Sequence, residues 1–157
     1  MKKIKAWIGI DPGKTGSAVL ITNGKKYEYY DYEDDFTAAA WMRDMHDKYS
    51  IERVFIEHLT PQPKWPAKTN FVLGGSYHGW KHAWAVLNIP VTTVRPLKWQ
   101  QGLFSKEDKT QGKSEKHKSV FYVRREHPDM IELCKFLKHH GRCDAFLIAK
   151  WGKSQEK

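Results

Sequence analysis

Residues 4–22 read IKAWIGIDPGKTGSAVLIT, two apolar runs separated by a turn that contains proline and glycine. Short apolar runs bounded by turn residues are typical of buried strands, so residues 4–10 and 17–22 are predicted to be strands. The dipeptide Asn23-Gly24 is a strong hairpin signal, and residues 25–32 (KKYEYYDY) supply a third strand. The chain therefore begins with three strands that are joined as antiparallel hairpins.

The rest of the chain alternates between helical and strand-like patterns. Acids in the first turn favour a helix over 34–49, and three prolines make 60–69 a loop. Two further strands are predicted: residues 51–59 (IERVFIEHL), with the acid Glu57 near the end, and residues 89–96. Further helices are predicted over 70–88, 119–128, 129–137 and 142–151. Residues 102–118 are predicted to be a flexible basic segment. This order predicts a single α/β domain, residues 1–157, with a ribonuclease H-like fold: a mixed sheet of three antiparallel strands and then parallel strands, flanked by helices.

The composition of the chain limits its partners. Its 157 residues carry 27 Lys and Arg against 18 Asp and Glu, which gives a formal net charge of +9 and a pI near 9.5. Such a charge predicts a polyanionic partner, nucleic acid rather than membrane, although a generic basic surface has the same composition. No stretch approaches the roughly 20 apolar residues that cross a bilayer, and Asp11 and Pro12 interrupt the first apolar run too early for a signal peptide. Cys134 and Cys143 are interpreted as free thiols in a reducing compartment, so the expected location is the cytoplasm of a bacterial or phage-infected cell.

Three acids and a histidine lie at the ends of apolar segments. Asp11 ends the first strand and Glu57 ends the VFIE strand, whereas Asp144 begins the apolar run of the last helix, with His140 four residues earlier. Ligand sites in α/β folds form at strand ends, and like charges that meet there need a cation. Oxygen ligands favour Mg²⁺ or Mn²⁺, and one imidazole shifts the preference towards Mn²⁺.

Each of these residues also has an ordinary interpretation. Asp11 can form a turn, and Glu57 can pair with a lysine. Asp144 can be a helix N-terminal charge worth under ~1 kcal/mol, and exposed histidines are usually solvated. Their joint occurrence in this order of elements favours the metal site.

Four motifs, in order IGIDPGKTGSA, VFIEHL, VRPLKWQ and HHGRCDAFLIAKW, resemble the RuvC-like Holliday-junction resolvases, particularly the phage-type branch. The resemblance extends from residue 6 to about residue 152. It implies a crossover junction endodeoxyribonuclease that acts in DNA recombination and repair, with two Mg²⁺ or Mn²⁺ ions per active site that activate water and stabilise the leaving oxygen. It also implies a homodimer, because paired symmetric nicks require two active sites. Actin-like ATPases share the opening strand with its Asp and Gly turn, but they need a second, duplicated domain.

The resemblance assigns roles to individual residues. The family's three acids are matched by Asp11, Glu57 and Asp144. The family places a fourth ligand shortly before the last acid, commonly an aspartate and in some members a histidine. Gly141, three residues before Asp144, has no side chain that could bind a metal, so His140, four residues before it, is the expected fourth ligand. His139 is the fallback, because a residue five positions before Asp144 points to another side of a helix.

A basic and aromatic region is the predicted DNA-binding surface. Nine Lys and Arg lie between Arg95 and Arg125, against three acids. Lys116 is at the position that resembles the family's lysine near the scissile phosphate, where it would neutralise developing charge; Lys113 and Lys118 are near-equivalent candidates. The predicted DNA-binding residues are Trp65, Phe71, Lys98, Lys113, Lys116 and Lys118.

The two aromatic residues of that set follow the second acid. Trp65 or Phe71 is predicted to stack on an unpaired base at the branch point, an interaction typically worth ~1–3 kcal/mol. The alternatives are that Trp65 caps the core and that the lysines form a solvated charge run. The glycine-bearing helix NFVLGGSYHGWKHAWAVL is the predicted dimer interface.

The sequence therefore predicts a metal-dependent, structure-selective endonuclease that resolves four-way DNA junctions by paired symmetric nicks. Two alternatives stay open. One is a nuclease of the same fold that acts on branched forks or RNA, and the other is a junction-binding protein that does not cleave.

Overall fold

The computed structural model describes residues 2–111 and 114–156. In these residues the chain forms a five-stranded mixed sheet with the strand order β3-β2-β1-β4-β5. The strands are β1 Ile4–Asp11, β2 Ser17–Thr22, β3 Tyr27–Asp31, β4 Tyr49–Glu57 and β5 Val91–Val94.

The pairing of the strands follows the predicted pattern. β1 pairs antiparallel with β2 and β2 antiparallel with β3, whereas β4 lies parallel to β1 and β5 parallel to β4. The hairpin at Asn23-Gly24 is closed by a hydrogen bond from Thr22 N to Lys26 O of 3.2 Å. Because β1 and β4 are parallel neighbours, their last residues, Asp11 and Glu57, lie at the same edge of the sheet. The predicted α/β fold with a mixed sheet is confirmed.

Helices cover both faces of this sheet. They are α1 Asp35–Lys48, α2 Ala67–Val86, α3 Pro96–Trp99, α4 Lys106–Thr110, α5 Lys118–Glu126, α6 Ile131–Cys134 and α7 His140–Gln155. One core lies between the sheet and helices α5 and α7, and the other lies between the sheet and helices α1 and α2. The alternation along β1 divides its side chains between them, since Trp7 joins the first core and Ile8 and Ile10 join the second.

Helix α7 lies directly against the central strand because β1 has a glycine at the crossing point. A Cβ atom at Gly9 would stand 2.0 Å from the carbonyl oxygen of Ala145 and 2.5 Å from the amide nitrogen of Ala149. Any side chain there would push the helix away from the sheet. The crossing point fixes α7 against the strand that ends in Asp11.

Several predicted boundaries are wrong. Helix α7 begins at His140 rather than at 142, since Gly141 lets its first turn pack against the turn between β1 and β2. Helix α2 begins at Ala67, three residues before the predicted start, directly after Pro66. The predicted helix over 129–137 is broken into α6 and two short 3₁₀ turns.

The segment 102–118 contains regular structure that was not predicted. Helix α4 starts at a capping box, in which the Ser105 hydroxyl accepts from the amide of Asp108 and the Asp108 carboxylate accepts from the amide of Ser105. Asp108 is buried and also accepts from the Arg125 guanidinium. The described part of this segment is therefore tied to α5, while Lys113 lies outside the described residues.

Two further features bear on the predictions from composition. Both Cys134 and Cys143 are buried free thiols. Among the described residues, the search for a helix with the length and apolar character of a membrane span found none.

Candidate metal centre

The first group of site residues meets where two strands and a helix come together. Asp11 ends β1, and the first turns of α7 carry His140 and Asp144. Because the two α7 residues are four positions apart, they lie on the same face of the helix. One ligand atom from each of the three residues lies within 4.8 Å of the others. A carboxylate pair and an imidazole at this separation form a set of ligands suited to a divalent cation.

The carboxylates of this group are held in an unfavourable environment for negative charge. Burial, followed by the charges of Asp144 and Glu57, raises the pKa of Asp11 well above its ordinary value. Burial also raises the pKa of Asp144 to about 7; the charge of Glu57 adds to the rise, while a hydrogen bond with Ser119 opposes it. A cation at this point would remove the repulsion between the acids.

Glu57 lies near this group but is not one of the three residues within 4.8 Å of one another. Burial raises its pKa, against a hydrogen bond from Trp99 and the charge of Lys118. The Trp99 indole donates from Nε1 to Oε2 of Glu57 at 2.8 Å. Its carboxylate therefore has one fixed donor and contributes a third negative charge to the site.

The two histidines before α7 have different surroundings. Burial and the positive charges of Lys116 and His117 lower the pKa of His140, which favours the neutral imidazole that binds metals. His139 lies outside the group of three ligands, and its ring packs on Phe136. The structure therefore brings His140 to the acids and leaves His139 on the other side of the helix start.

Gly141 explains how the helix start can come so close to Asp11. A Cβ atom at this position would lie 3.0 Å from the carbonyl oxygen of Thr15 and 3.2 Å from Oδ2 of Asp11. The glycine occupies the position three residues before the last acid. A side chain there would point at the Asp11 carboxylate, so its absence makes room for the close packing.

An ion pair fastens the first turn of α7 to the edge of the sheet. The Arg142 guanidinium donates from Nε to both carboxylate oxygens of Asp31 at 2.9 Å and lies 4.2 Å from the ring centroid of Tyr29. Asp31 also accepts from the hydroxyl of Ser17, the β2 residue that pairs with Asp11. This network connects the first turn of α7, which carries His140 and Asp144, to the strand pair that carries Asp11.

The role of Trp99 was not predicted from the sequence. Besides its bond to Glu57, its ring packs edge-on against Phe104 with centroids 6.1 Å apart. The ammonium of Lys118 lies 5.1 Å from the centroid of the same Phe104 ring. A carboxylate and a lysine of the site are thus supported by one aromatic pair. The VRPLKWQ motif contained the residue, but no local signal connects it to an acid 42 positions earlier.

His117 was also missed. Its ring centroid lies 6.3 Å from that of His140, and its buried Nδ1 has no hydrogen-bond partner among residues 2–111 and 114–156. An unpaired buried nitrogen beside a candidate ligand is a polar atom available to whatever occupies the site. Only the local pattern KHK hinted at it, and such patterns are common on surfaces.

The predicted lysines differ in exposure and in the groups on which their charges act. Lys118 is half-buried at the start of α5, and its charge lowers the pKa of both Glu57 and Asp144. Lys116 is exposed, and its charge acts on His140. Lys98 is exposed in the short α3 helix. The lysine whose charge acts on the carboxylates is therefore Lys118, whereas the sequence had favoured Lys116.

Two exposed aromatic residues lie after the strand that carries Glu57. Trp65 is 44% exposed and Phe71 is 82% exposed, and neither belongs to a core. The side chain of Asn70 holds the Trp65 loop, since it donates to Gln62 O at 3.0 Å and to Trp65 O at 3.3 Å. The alternative in which Trp65 caps the core therefore has no support in its contacts.

Comparisons with known proteins give structural matches and no sequence matches. No protein-family model matches the chain, and no curated protein matches it. T. thermophilus RuvC in complex with a Holliday junction substrate is similar at a TM-score of 0.60, with 14% identity over 97% of this chain and 96% of that one. The chain has a ribonuclease H-like fold.

Two further solved structures agree with that fold. Thermus thermophilus RuvC matches with a TM-score of 0.51 and 16% identity over 96% of both chains. The Fowlpox virus resolvase, solved with its substrate Holliday junction DNA, matches with a TM-score of 0.53 and 14% identity over 95% of this chain and 99% of that one. In the ribonuclease H-like fold of this chain, the ligand group lies where β1 and β4 end and α7 begins.

Proposed function

We propose that this protein is a metal-dependent, structure-selective endonuclease of the RuvC-like type that resolves four-way DNA junctions by paired symmetric nicks. The observation that carries the proposal is the meeting of Asp11, His140 and Asp144 within 4.8 Å in a ribonuclease H-like fold. Two of the similar structures are resolvases bound to Holliday junctions. Membership of the phage-type branch and a cytoplasmic location stay predictions.

The donors at the site fit a hard divalent cation. Asp11, Asp144 and Glu57 supply oxygen ligands, and His140 supplies a neutral nitrogen, a set that suits Mg²⁺ or Mn²⁺. Burial first, and then neighbouring acids, raise the pKa of both aspartates, so their ionised forms are unfavourable without a cation. Such ions, two per site in this proposal, supply an activated water and stabilise the charge of the leaving oxygen.

The chain's own groups orient the reacting phosphate and its ligands. Lys118 is near two of the carboxylates and is suited to neutralise charge on the phosphate, with Lys116 next to it on the solvent side. Trp99 keeps the Glu57 carboxylate in one orientation through its 2.8 Å hydrogen bond. Fixed donors of this kind reduce the reorganisation that the reaction requires.

The DNA would lie on the basic and aromatic surface around this site. A net charge of +9 favours binding to the phosphate backbone. Trp65 and Phe71 are exposed aromatic residues that follow the strand carrying Glu57, and either one is a candidate to stack on an unpaired base of the branch point. Lys98 is exposed in α3 and is a candidate for phosphate contacts, and Lys113 stays a prediction because it lies outside the described residues.

Paired nicks require two copies of the site, so a homodimer is part of the proposal. Helix α2 is the candidate interface. A Cβ atom added at Gly74, Gly75 or Gly79 would meet nothing within 4 Å, so this side of the helix is open to close approach. A two-fold arrangement of two α2 helices would give two sites related by symmetry.

A nicking assay tests the proposal. Four-way junctions, forks and matched RNA substrates are incubated with wild-type protein, Asp11→Asn and Asp47→Asn, in EDTA, Mg²⁺ or Mn²⁺. Asp47 is an exposed acid outside the site, with 81% of its side chain accessible, so its substitution is a matched control. Symmetric nicks in the four-way junction are expected from the wild type and the control with metal, and none from Asp11→Asn.

The alternatives give different results in the same assay. Preferential cutting of forks or RNA would identify another substrate for the same chemistry. A junction shifted on a gel but never nicked, with either metal, would identify a binding protein. Asp144→Asn should still bind the junction without cutting it, because contacts to the phosphates supply most of the affinity.

A further inference from the structure

The exposed side of α2 carries two imidazoles that the proposed reaction does not use. His78 and His82 are four residues apart on this helix, so their side chains project in the same direction. Their ring centroids are 6.1 Å apart, with 39° between the ring planes, and both residues are exposed. Two histidines at this spacing on one helix face can direct a ring nitrogen each to one metal ion.

The surroundings leave room for an ion and for a second molecule. Gly75 and Gly79 lie on either side of His78, and a Cβ atom at either glycine would meet nothing within 4 Å. A groove of about 380 Å³ between α1 and α2 runs beside them, lined in part by Phe71 and Val72. The glycines therefore leave open space beside His78, and the groove next to them is lined by Lys14 and Asp35 as well as by apolar side chains.

One chain does not complete the coordination of such an ion. The group of three or more His, Cys, Asp or Glu ligands found among residues 2–111 and 114–156 consists of Asp11, His140 and Asp144. No third ligand of these types therefore joins His78 and His82 within the described residues. Zn²⁺ prefers four nitrogen or sulfur ligands in a tetrahedron, so two positions have to be filled from outside.

A second copy of this chain fits those positions. Two molecules with a net charge of +9 repel each other unless they meet on an uncharged surface. From residue 71 to residue 86 of α2, no exposed position is Lys, Arg, Asp or Glu; Lys68 is exposed before this stretch, and within it the half-buried Lys81 has its ammonium 4.9 Å from the ring centroid of Tyr77. The exposed residues of this stretch are Phe71, Val72, Gly75, His78, Gly79, His82, Ala85 and Val86. Two-fold symmetry would bring the same two histidines of each copy to one point.

We propose that His78 and His82 bind one Zn²⁺ ion together with the same two residues of a second copy, so that the ion clamps two α2 helices. Ligands made of imidazole alone select Zn²⁺ over Mg²⁺, which separates this site from the carboxylate site chemically. The proposal rests on the homodimer of the proposed function and adds to it a metal site at the interface.

Sedimentation velocity of the 157-residue chain tests the clamp. Wild type, His78→Ala, His82→Ala and the matched control His46→Ala, a histidine on α1, are compared in EDTA and in micromolar Zn²⁺. We expect Zn²⁺ to lower the dissociation constant of self-association about tenfold or more for the wild type and the control. In addition to the Zn²⁺ bound at the carboxylate site, one ion should bind per two chains. His78→Ala and His82→Ala should lose this response, while they sediment like the wild type in EDTA.

Three results would overturn the clamp. They are an unchanged sedimentation of the wild type in Zn²⁺, a response of both α2 variants equal to that of the wild type, and binding of one ion per single chain at the two histidines without association. Nicking with Mg²⁺, measured in parallel, reports on the carboxylate site. Loss of nicking in the wild type would contradict the proposed function and leave the sedimentation result valid.

Discussion

The substitution Asp144→Asn should make the metal-free protein more stable at neutral and alkaline pH while it abolishes cleavage. The pKa of Asp144 is raised from its ordinary value of 3.8 to about 7, chiefly by burial. Below pH 3.8 this carboxyl carries its proton in the folded and in the unfolded chain. Between pH 3.8 and 7 the unfolded chain releases the proton and the folded chain keeps it, so stability falls as the pH rises through this range.

The size of the effect follows from the same pKa. A difference of one in pKa corresponds to about 1.4 kcal/mol, so the full displacement corresponds to about 4 kcal/mol above pH 7. Part of this loss has already occurred at pH 5, which leaves about 2–3 kcal/mol between pH 5 and pH 8. The neighbouring Asp11 contributes in the same direction, because its pKa is also raised. An asparagine keeps the shape of the side chain and cannot ionise.

Urea unfolding followed by tryptophan fluorescence measures this difference. Wild type, Asp144→Asn and the exposed-site control Asp47→Asn are unfolded in EDTA at pH 5 and pH 8. The wild type and the control should lose about 2–3 kcal/mol more than Asp144→Asn over this interval. Millimolar Mg²⁺ should restore stability to the wild type at pH 8 and leave Asp144→Asn unchanged, since ligands stabilise the state that binds them. Parallel pH profiles of wild type and Asp144→Asn would refute the reasoning.

Three further predictions concern the supports of the site. Trp99→Phe keeps the ring and removes the donor to Glu57, a hydrogen bond to a charged group worth about 1.5–3 kcal/mol; the Mg²⁺ concentration for half-maximal nicking should rise about tenfold or more, and an unchanged titration would exclude this role. Gly9→Ala should cost about 3 kcal/mol or more in chemical denaturation, because its Cβ would collide with the backbone of α7, whereas Gly74→Ala should stay within about 1 kcal/mol of the wild type, because a Cβ there meets nothing. Arg142→Ala removes the ion pair to β3, and we expect the free energy of unfolding, measured by thermal unfolding, to fall by about 1–3 kcal/mol. A fall well below about 1 kcal/mol, as is usual for exposed ion pairs, would mean that the pair does not hold α7 to the sheet.

The burial that prepares the three carboxylates to bind a metal ion also makes their ionised forms unfavourable. Burial is the largest cause of the raised pKa of Asp11, Asp144 and Glu57. The same burial would keep competing water away from a bound phosphate. A lower stability of the metal-free protein at neutral pH is the expected consequence, since strained charges at functional sites are compensated elsewhere in the structure.

The sequence by itself determined the fold class and the identity of the acids. Strand signals are local, because alternation, apolar runs and the Asn-Gly turn act over a few residues. β2 was therefore predicted at its observed bounds, residues 17–22, and Asp11 and Glu57 were found at strand ends. The helix α4 was also readable, since Ser105 and Asp108 have the spacing of a capping box. This helix lies within the segment 102–118, which was predicted to be flexible.

Only the tertiary structure decided which distant groups support the acids. Trp99 donates to an acid 42 residues away, and Arg142 pairs with Asp31 across 111 residues. The position of Lys118, whose charge lowers the pKa of Glu57 and Asp144, depends on how α5 packs against Phe104. Pairs so far apart leave no periodicity in the sequence, because their separation is set by the packing of the sheet against its helices. The sequence names the charged residues of the site, and the packing decides which of them meet.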